Sequence, residues 1–153
     1  ISHAEVNVEL LIDEKRRLIE IERVAAETDR ALDHGKDMVI FTSRQRVVSN
    51  DAKSSLSIGQ KISEGLIAIL DKITAKPRYI LAKGGITSSD VATQGLKVKR
   101  AMVYGQIMPG VPVWKLGAES RLPALAYIVF PGNVGDSQAL AAVVNKLKPI
   151  KKS

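Results

Sequence analysis

One feature above all constrains the fold: apolar runs of strand length alternate with stretches of helical spacing. Ala4–Ile12 (AEVNVELLI) alternates apolar and polar residues, the pattern of a half-exposed strand. Glu14–Leu32 places Leu18, Ile21, Ala25, Thr28 and Leu32 on one helical face, with Glu and Arg opposite, between Asp13 as a cap and Gly35 as a stop. Met38–Phe41 is a continuous apolar run, as in a strand buried on both faces of a parallel sheet. Gln45–Ser57 is polar and reads as a loop. Ile58, Ile62, Leu66, Ile69 and Ile73 define a second helix despite Gly59 and Gly65, and Pro77 separates it from a third strand, Arg78–Ala82.

Strand, helix, strand, helix, strand, helix predicts an α/β fold: a mostly parallel, mixed sheet flanked by helices in a Rossmann-like three-layer arrangement. From Val98 the texture changes. VKRAMVYGQIMPGVPVWKL carries two prolines and two glycines and reads as short strands around a Pro109-Gly110 turn. Trp114 is expected to pack as core or lid, or to form a wall beside a base. Ala124–Phe130 is a further apolar strand, and Asp136 caps a last helix with Leu140, Val143, Val144 and Leu147 inward. A length of 153 residues suits one domain. The chain opens on Ile1, its methionines being Met38, Met102 and Met108, so 1–153 is expected to be a nucleotide-binding domain cut from a longer protein.

Chemistry concentrates at two strand-to-helix junctions, Ala82–Asp90 (AKGGITSSD) and Phe130–Asp136 (FPGNVGD). Each joins an apolar strand to two glycines, a capping residue and a helix. Glycine lets backbone approach a ligand closely, helix N-termini offer free N–H groups to anions, and ligands of open α/β sheets bind beyond the carboxyl ends of strands. Thr87, Ser88 and Ser89 could add hydroxyl donors, or Thr87 or Ser88 could serve only as an N-cap. Glycine-rich turns also occur for turning alone; two together favour a phosphate or nucleotide cradle. Neither matches G-x-x-x-x-G-K-[ST] or G-x-G-x-x-G. Arg44, after Thr42-Ser43, and Lys83, before Gly84, are candidate phosphate contacts with a solvated reading as the alternative. Asp90 and Asp136 fit helix starts better than catalytic bases.

Composition narrows the classes. The absence of cysteine excludes disulfides and thiol chemistry. His3 and His34, the two histidines, have no spacing to carboxylates that would make a metal site, and none is expected. No apolar run approaches the ~20 residues of a membrane helix, and no signal peptide opens the chain, so a cytoplasmic protein is expected. Residues 1–85 hold 14 basic and 13 acidic side chains, a net of +1, whereas residues 86–153 hold 9 and 3, a net of +6. A basic half suits a polyanion such as a nucleotide. Nucleic acid is not expected, because aromatic residues are 4% of the chain and none alternate with the lysines as a stacking platform.

The order TSR, KGGITS, GQIMPGVPVW and FPGNVGD, from about Met38 to Leu147, resembles the C-terminal nucleotide-binding domain of the four-carbon acid sugar kinases. The resemblance implies an ATP-dependent enzyme phosphorylating threonate, erythronate or 3-oxo-tetronate-type acids, with ATP and Mg2+ as cofactors. It implies that an N-terminal domain, absent here, presents the small sugar-acid substrate, and that the parent is in some members fused to a dehydrogenase or aldolase. Gly84, Gly85, Ile86 and Thr87, continuing into Ser88, match the family's nucleotide loop; Gly132 and Gly135, flanking Asn133, match its second glycine loop. Ile86 stands where an acidic residue is common in the family. The alternative of another class is a non-catalytic regulatory or interaction domain that kept the fold.

Overall fold

The structure, a computed structural model, describes residues 1–43 and 52–148. It divides into two compact units, Ile1–Pro77 and Arg78–Ser153. Both mix strands and helices, and the architecture is the expected α/β one with mixed sheet pairing.

The first unit begins with β1 (Ser2–Val6), which ends earlier than the alternating pattern suggests. Asn7 stops it. Its side-chain oxygen accepts from the Leu10 N–H at 3.1 Å and caps a short helix, α1 (Val8–Ile12), which buries Val8 and Leu11. The Asp13 carboxylate accepts from the Lys15 and Arg16 N–H groups, turning the chain into α2 (Arg17–Asp33). Helix α2 buries Ile21, Val24, Ala25, Thr28 and Ala31, so the expected face holds from Ile21 to Thr28. Leu18, read as inward, is 54% exposed, and Glu20 is buried in its place. The Glu20 carboxylate has work there: it accepts from the Asn7 N–H at 2.7 Å and from the Arg23 guanidinium, tying the β1–α1 corner to α2.

Gly35 stops α2 as expected: its N–H bonds the Leu32 carbonyl while the Lys36 N–H bonds that of Ala31. β2 (Met38–Thr42) follows and pairs parallel with β1, Ser2 opposite Met38. It is half-buried, with Phe41 exposed, rather than buried on both faces, because it pairs on one side with β1 in a two-stranded sheet. The expected loop is helical from Ala52 onward, since serines are tolerated in a helix's first turns; its earlier part, 45–51, lies outside the described residues, as does Arg44. α3 (Ala52–Lys72) packs Ile62, Leu66 and Ile69 against Val6, Leu11, Ile21 and Val24.

The second unit is a four-stranded sheet in the order β3-β6-β5-β4, built from β3 (Tyr79–Lys83), β4 (Ala101–Met108), β5 (Val111–Leu116) and β6 (Ala126–Phe130). β3 and β6 are parallel; β6–β5 and β5–β4 are antiparallel, the last pair turning at Pro109-Gly110. Between β3 and β4 run α4 (Gly85–Asp90) and a π-helical turn, Val91–Gly95, closed by Leu96 N–H to the Val91 carbonyl at 2.8 Å. α5 (Ala139–Lys146) lays Ala139 and Val143 on Val111, Ile128 and Phe130. No helix among the described residues is long and apolar enough to cross a membrane.

Candidate functional site

Parallel pairing of β3 and β6 sets Lys83 opposite Phe130, so the two strands end level. The Gly84 N–H extends the ladder by one bond, to the Phe130 carbonyl at 2.8 Å. The two glycine junctions therefore leave the sheet side by side: a Cβ placed on Gly132 would lie 4.0 Å from the Gly84 Cα. The sequence separates them widely; the parallel ladder brings them together.

The glycines have different physical reasons. Gly84 sits at φ +99°, a region that favours glycine, and caps α4 with its backbone: its carbonyl accepts the Ser88 N–H at 2.9 Å. The helix thus starts earlier than a Thr87 or Ser88 cap would place it. Gly135 is at φ +77°, and a Cβ there would run into Ala139. Gly85 and Gly132 have neither constraint. Neither has positive φ; nothing lies within 4 Å of a Cβ on Gly85, and only the Gly84 Cα at 4.0 Å meets one on Gly132. No part of the described protein demands glycine at these two positions, and both lie beside Gly84. The amides of Gly85, Ile86 and Thr87, the first of α4, have no partner within the helix and remain available to a ligand.

The side chains divide into supports and open groups. Ser88 is buried; its hydroxyl donates to the Ala82 carbonyl at 2.8 Å, turning it inward rather than toward a ligand. Its own carbonyl accepts the Tyr127 hydroxyl at 2.7 Å, and burial pushes that phenol well above its usual pKa, so it stays a donor. Tyr127 went unread in the sequence, although a tyrosine in an apolar strand signals a buried hydroxyl in need of a partner. Trp114 is half-buried, its ring 6.1 Å from that of Tyr127. The Pro109-Gly110 turn leans on the second junction: a Cβ on Gly110 would lie 3.4 Å from Val134.

Thr87 is half-buried, Ser89 and Asn133 are exposed, and Ile86 is 79% exposed. The Lys83 ammonium rests 4.4 Å from the centroid of the Phe130 ring, at the strand end between the junctions. Asp136, expected as the cap of the last helix, lies in the turn ahead of it and accepts the Gln138 N–H at 2.9 Å, the N-cap position being Gln138; Asp90 accepts the Gln94 amide at 3.2 Å. Among the described residues, no group of three or more histidine, aspartate or glutamate side chains is placed to hold a metal ion. Across residues 78–153 the sequence has 11 basic and 3 acidic side chains, a net of +8, against −1 for residues 1–77. The unit with the glycine junctions is the electropositive one.

The family model of the nucleotide-binding C-terminal domain matches residues 1–140. Three solved structures share the fold. A Bordetella bronchiseptica domain of unknown function, solved with bound citrate as a domain-swapped dimer, matches with a TM-score of 0.65 at 20% identity over 93% of this chain and 34% of its own. A Haemophilus influenzae protein gives 0.63 at 22% identity over 94% and 34%, and a putative tRNA synthase from Salmonella typhimurium gives 0.66 at 16% identity over 95% and 35%. The chain spans about a third of the length of these structures. No curated protein matches it. The chain belongs to the nucleotide-binding C-terminal domain family, in keeping with its resemblance to the four-carbon acid sugar kinases.

Proposed function

We propose that this chain supplies the ATP site of a sugar-acid kinase, with the triphosphate lying over Gly84–Thr87 and Gly132–Gly135. The observation that carries the reading is the pair Gly85 and Gly132, glycines that neither backbone conformation nor packing explains, both beside Gly84. Family membership supports a nucleotide as ligand. Phosphoryl transfer rests on positioning and charge neutralisation more than on side-chain covalent chemistry. The amides of Gly85–Thr87 would cradle phosphate oxygens, and Lys83 would move from the Phe130 ring to a phosphate. Mg2+ would arrive on the triphosphate, because Asp90 and Asp136 are engaged locally. The hydroxyl acceptor, a four-carbon acid of the threonate, erythronate or 3-oxo-tetronate type, would be presented by an N-terminal domain of a longer, cytoplasmic protein.

The test is calorimetric titration of Mg-ATP into the chain and into Gly85→Val and Gly132→Val variants whose fold is checked by circular dichroism. Saturable binding lost in both variants is expected, as is loss of sugar-acid phosphorylation in the full-length protein. Kinase activity that survives both substitutions would overturn the reading. Ile86 favours a second one. An apolar side chain 79% exposed at the loop, where the family commonly has an acid, suits a domain that binds nucleotide or a partner without catalysing. Full-length protein that binds ATP but phosphorylates no four-carbon acid would select it.

A further inference from the structure

We propose that the first unit holds a second anion site, for a tetrahedral oxyanion such as a phosphate group, in the cleft at the amino-terminal ends of β1 and β2. This proposal does not depend on the nucleotide reading. The cleft measures about 320 Å3, the small end of ligand-site volumes, and Ser2, His3, Glu27, Arg30, His34 and Lys36 line it. The chain has two histidines, and both are here. They come from different elements, β1 and the end of α2, and converge with Arg30 and Lys36 on one space.

The charge balance favours an anion. Glu27, the acidic side chain of the lining, is held by Arg23 at 3.0 Å. Asp37, next to Lys36, does not line the cleft and has an interaction of its own. β2 contributes Met38 to the lining, and its Phe41 ring stacks 6.3 Å from that of His3. A helix C-terminus would ordinarily repel an anion through its free carbonyls. Here the carbonyls of Arg30, Ala31 and Leu32 are answered by the N–H groups of His34, Lys36 and Gly35. The His34 Nδ1 lies 2.6 Å from the Arg30 carbonyl and, facing an acceptor, carries a proton. Its Nε2 is then the ring atom left to face the cleft's ligand.

The two histidines make the test direct, because their ring Cε1–H resonances report on this cleft and, after assignment with His3→Gln and His34→Gln variants, on no other site. Sulfate is titrated at constant ionic strength against a chloride control. Both resonances are expected to shift saturably with one shared dissociation constant. Inorganic phosphate and glycerol 3-phosphate, run at pH 7, are expected to saturate the same signals; tighter binding of the ester assigns an esterified phosphate, and tighter binding of the free ion assigns inorganic phosphate. Arg30→Gln with Lys36→Gln, both exposed positions, should abolish saturation while the circular dichroism spectrum is unchanged. Shifts equal to those in chloride, different constants for the two rings, or saturation that survives the double variant would overturn the proposal.

Discussion

Alanine at Gly85 and alanine at Gly135 should move stability in opposite directions. Gly85 is the first residue of α4, has no positive φ, and has nothing within 4 Å of a Cβ. A methyl there costs no contact and restricts the unfolded chain, so the protein should gain about 0.5 kcal/mol. Gly135 is at φ +77° with Ala139 in the way of a Cβ. The left-handed backbone alone costs roughly 1–2 kcal/mol, and the overlap adds to it. At about 2–4 °C per kcal/mol for a chain of this length, the two variants should melt at least about 4 °C apart, bracketing the parent. Nucleotide binding should respond differently. The Gly85→Ala methyl stands where a phosphate would approach the amides, and a tenfold loss of ATP affinity, about 1.4 kcal/mol, is expected. Thermal unfolding and calorimetric ATP titration on the same samples read both effects. A substitution that stabilises the fold while weakening the ligand marks a glycine kept for binding. If Gly85→Ala lowered the melting temperature as Gly135→Ala does, or left ATP affinity unchanged, the assignment of Gly85 to the ligand would fall.

Three further outcomes are expected. Tyr127→Phe removes the bond to the Ser88 carbonyl, which keeps the backbone N–H of Val91 as a partner, so urea unfolding should show a loss of only about 1 kcal/mol. The Arg23 guanidinium, and after it the Asn7 N–H, hold the buried Glu20 carboxyl below its ordinary range. Because its folded pKa is depressed, its contribution is present above the unfolded value near 4.3 and lost as pH falls through the folded value; urea midpoints should drop below about pH 5, and less steeply in Glu20→Gln. Asp29→Ala strips the acceptor from the Thr74 N–H, the Thr74 hydroxyl and the Ala75 N–H at the end of α3; a cost of about 1–2 kcal/mol and faster amide exchange at Thr74 and Ala75 would check it.

Where the sequence carried a local physical signal, the fold was legible. Gly35 after a helical stretch is such a signal, and the hydrogen bonds of Gly35 and Lys36 close α2 as expected. Pro109-Gly110 turns β4 into β5 on the same grounds. Two kinds of information were missing elsewhere. The first is competition between local patterns. AEVNVELLI alternates over its length, yet Asn7 caps a helix within it, and so short a segment fits both periods. The second is tertiary pairing. Nothing near Glu20 in the sequence shows that the Asn7 N–H requires an acceptor, so burial of the acid and exposure of Leu18 follow from a contact that periodicity does not encode.

The same division runs through the candidate site. Both junctions were readable, since glycines between an apolar strand and a helical pattern are a local signal. Their adjacency was not, because it depends on which strands pair, and Lys83 meets Phe130 only through the β3–β6 ladder. Nor could the sequence distinguish among the glycines. Gly84 and Gly85 are neighbours of identical composition, yet one is required by a φ of +99° and the other by nothing within the described protein. Folding explains Gly84 and Gly135 completely and leaves Gly85 and Gly132 over. The serines separate by the same logic: Ser88 looks like a hydroxyl donor in the loop, but its bond to Ala82 and the Tyr127 bond to its carbonyl spend it on holding the loop's shape. Backbone amides and open space remain at the junctions, with Lys83 beside them. That combination would suit a polyanion through geometry and charge without a signature side chain, and neither familiar phosphate-loop spacing occurs in the chain.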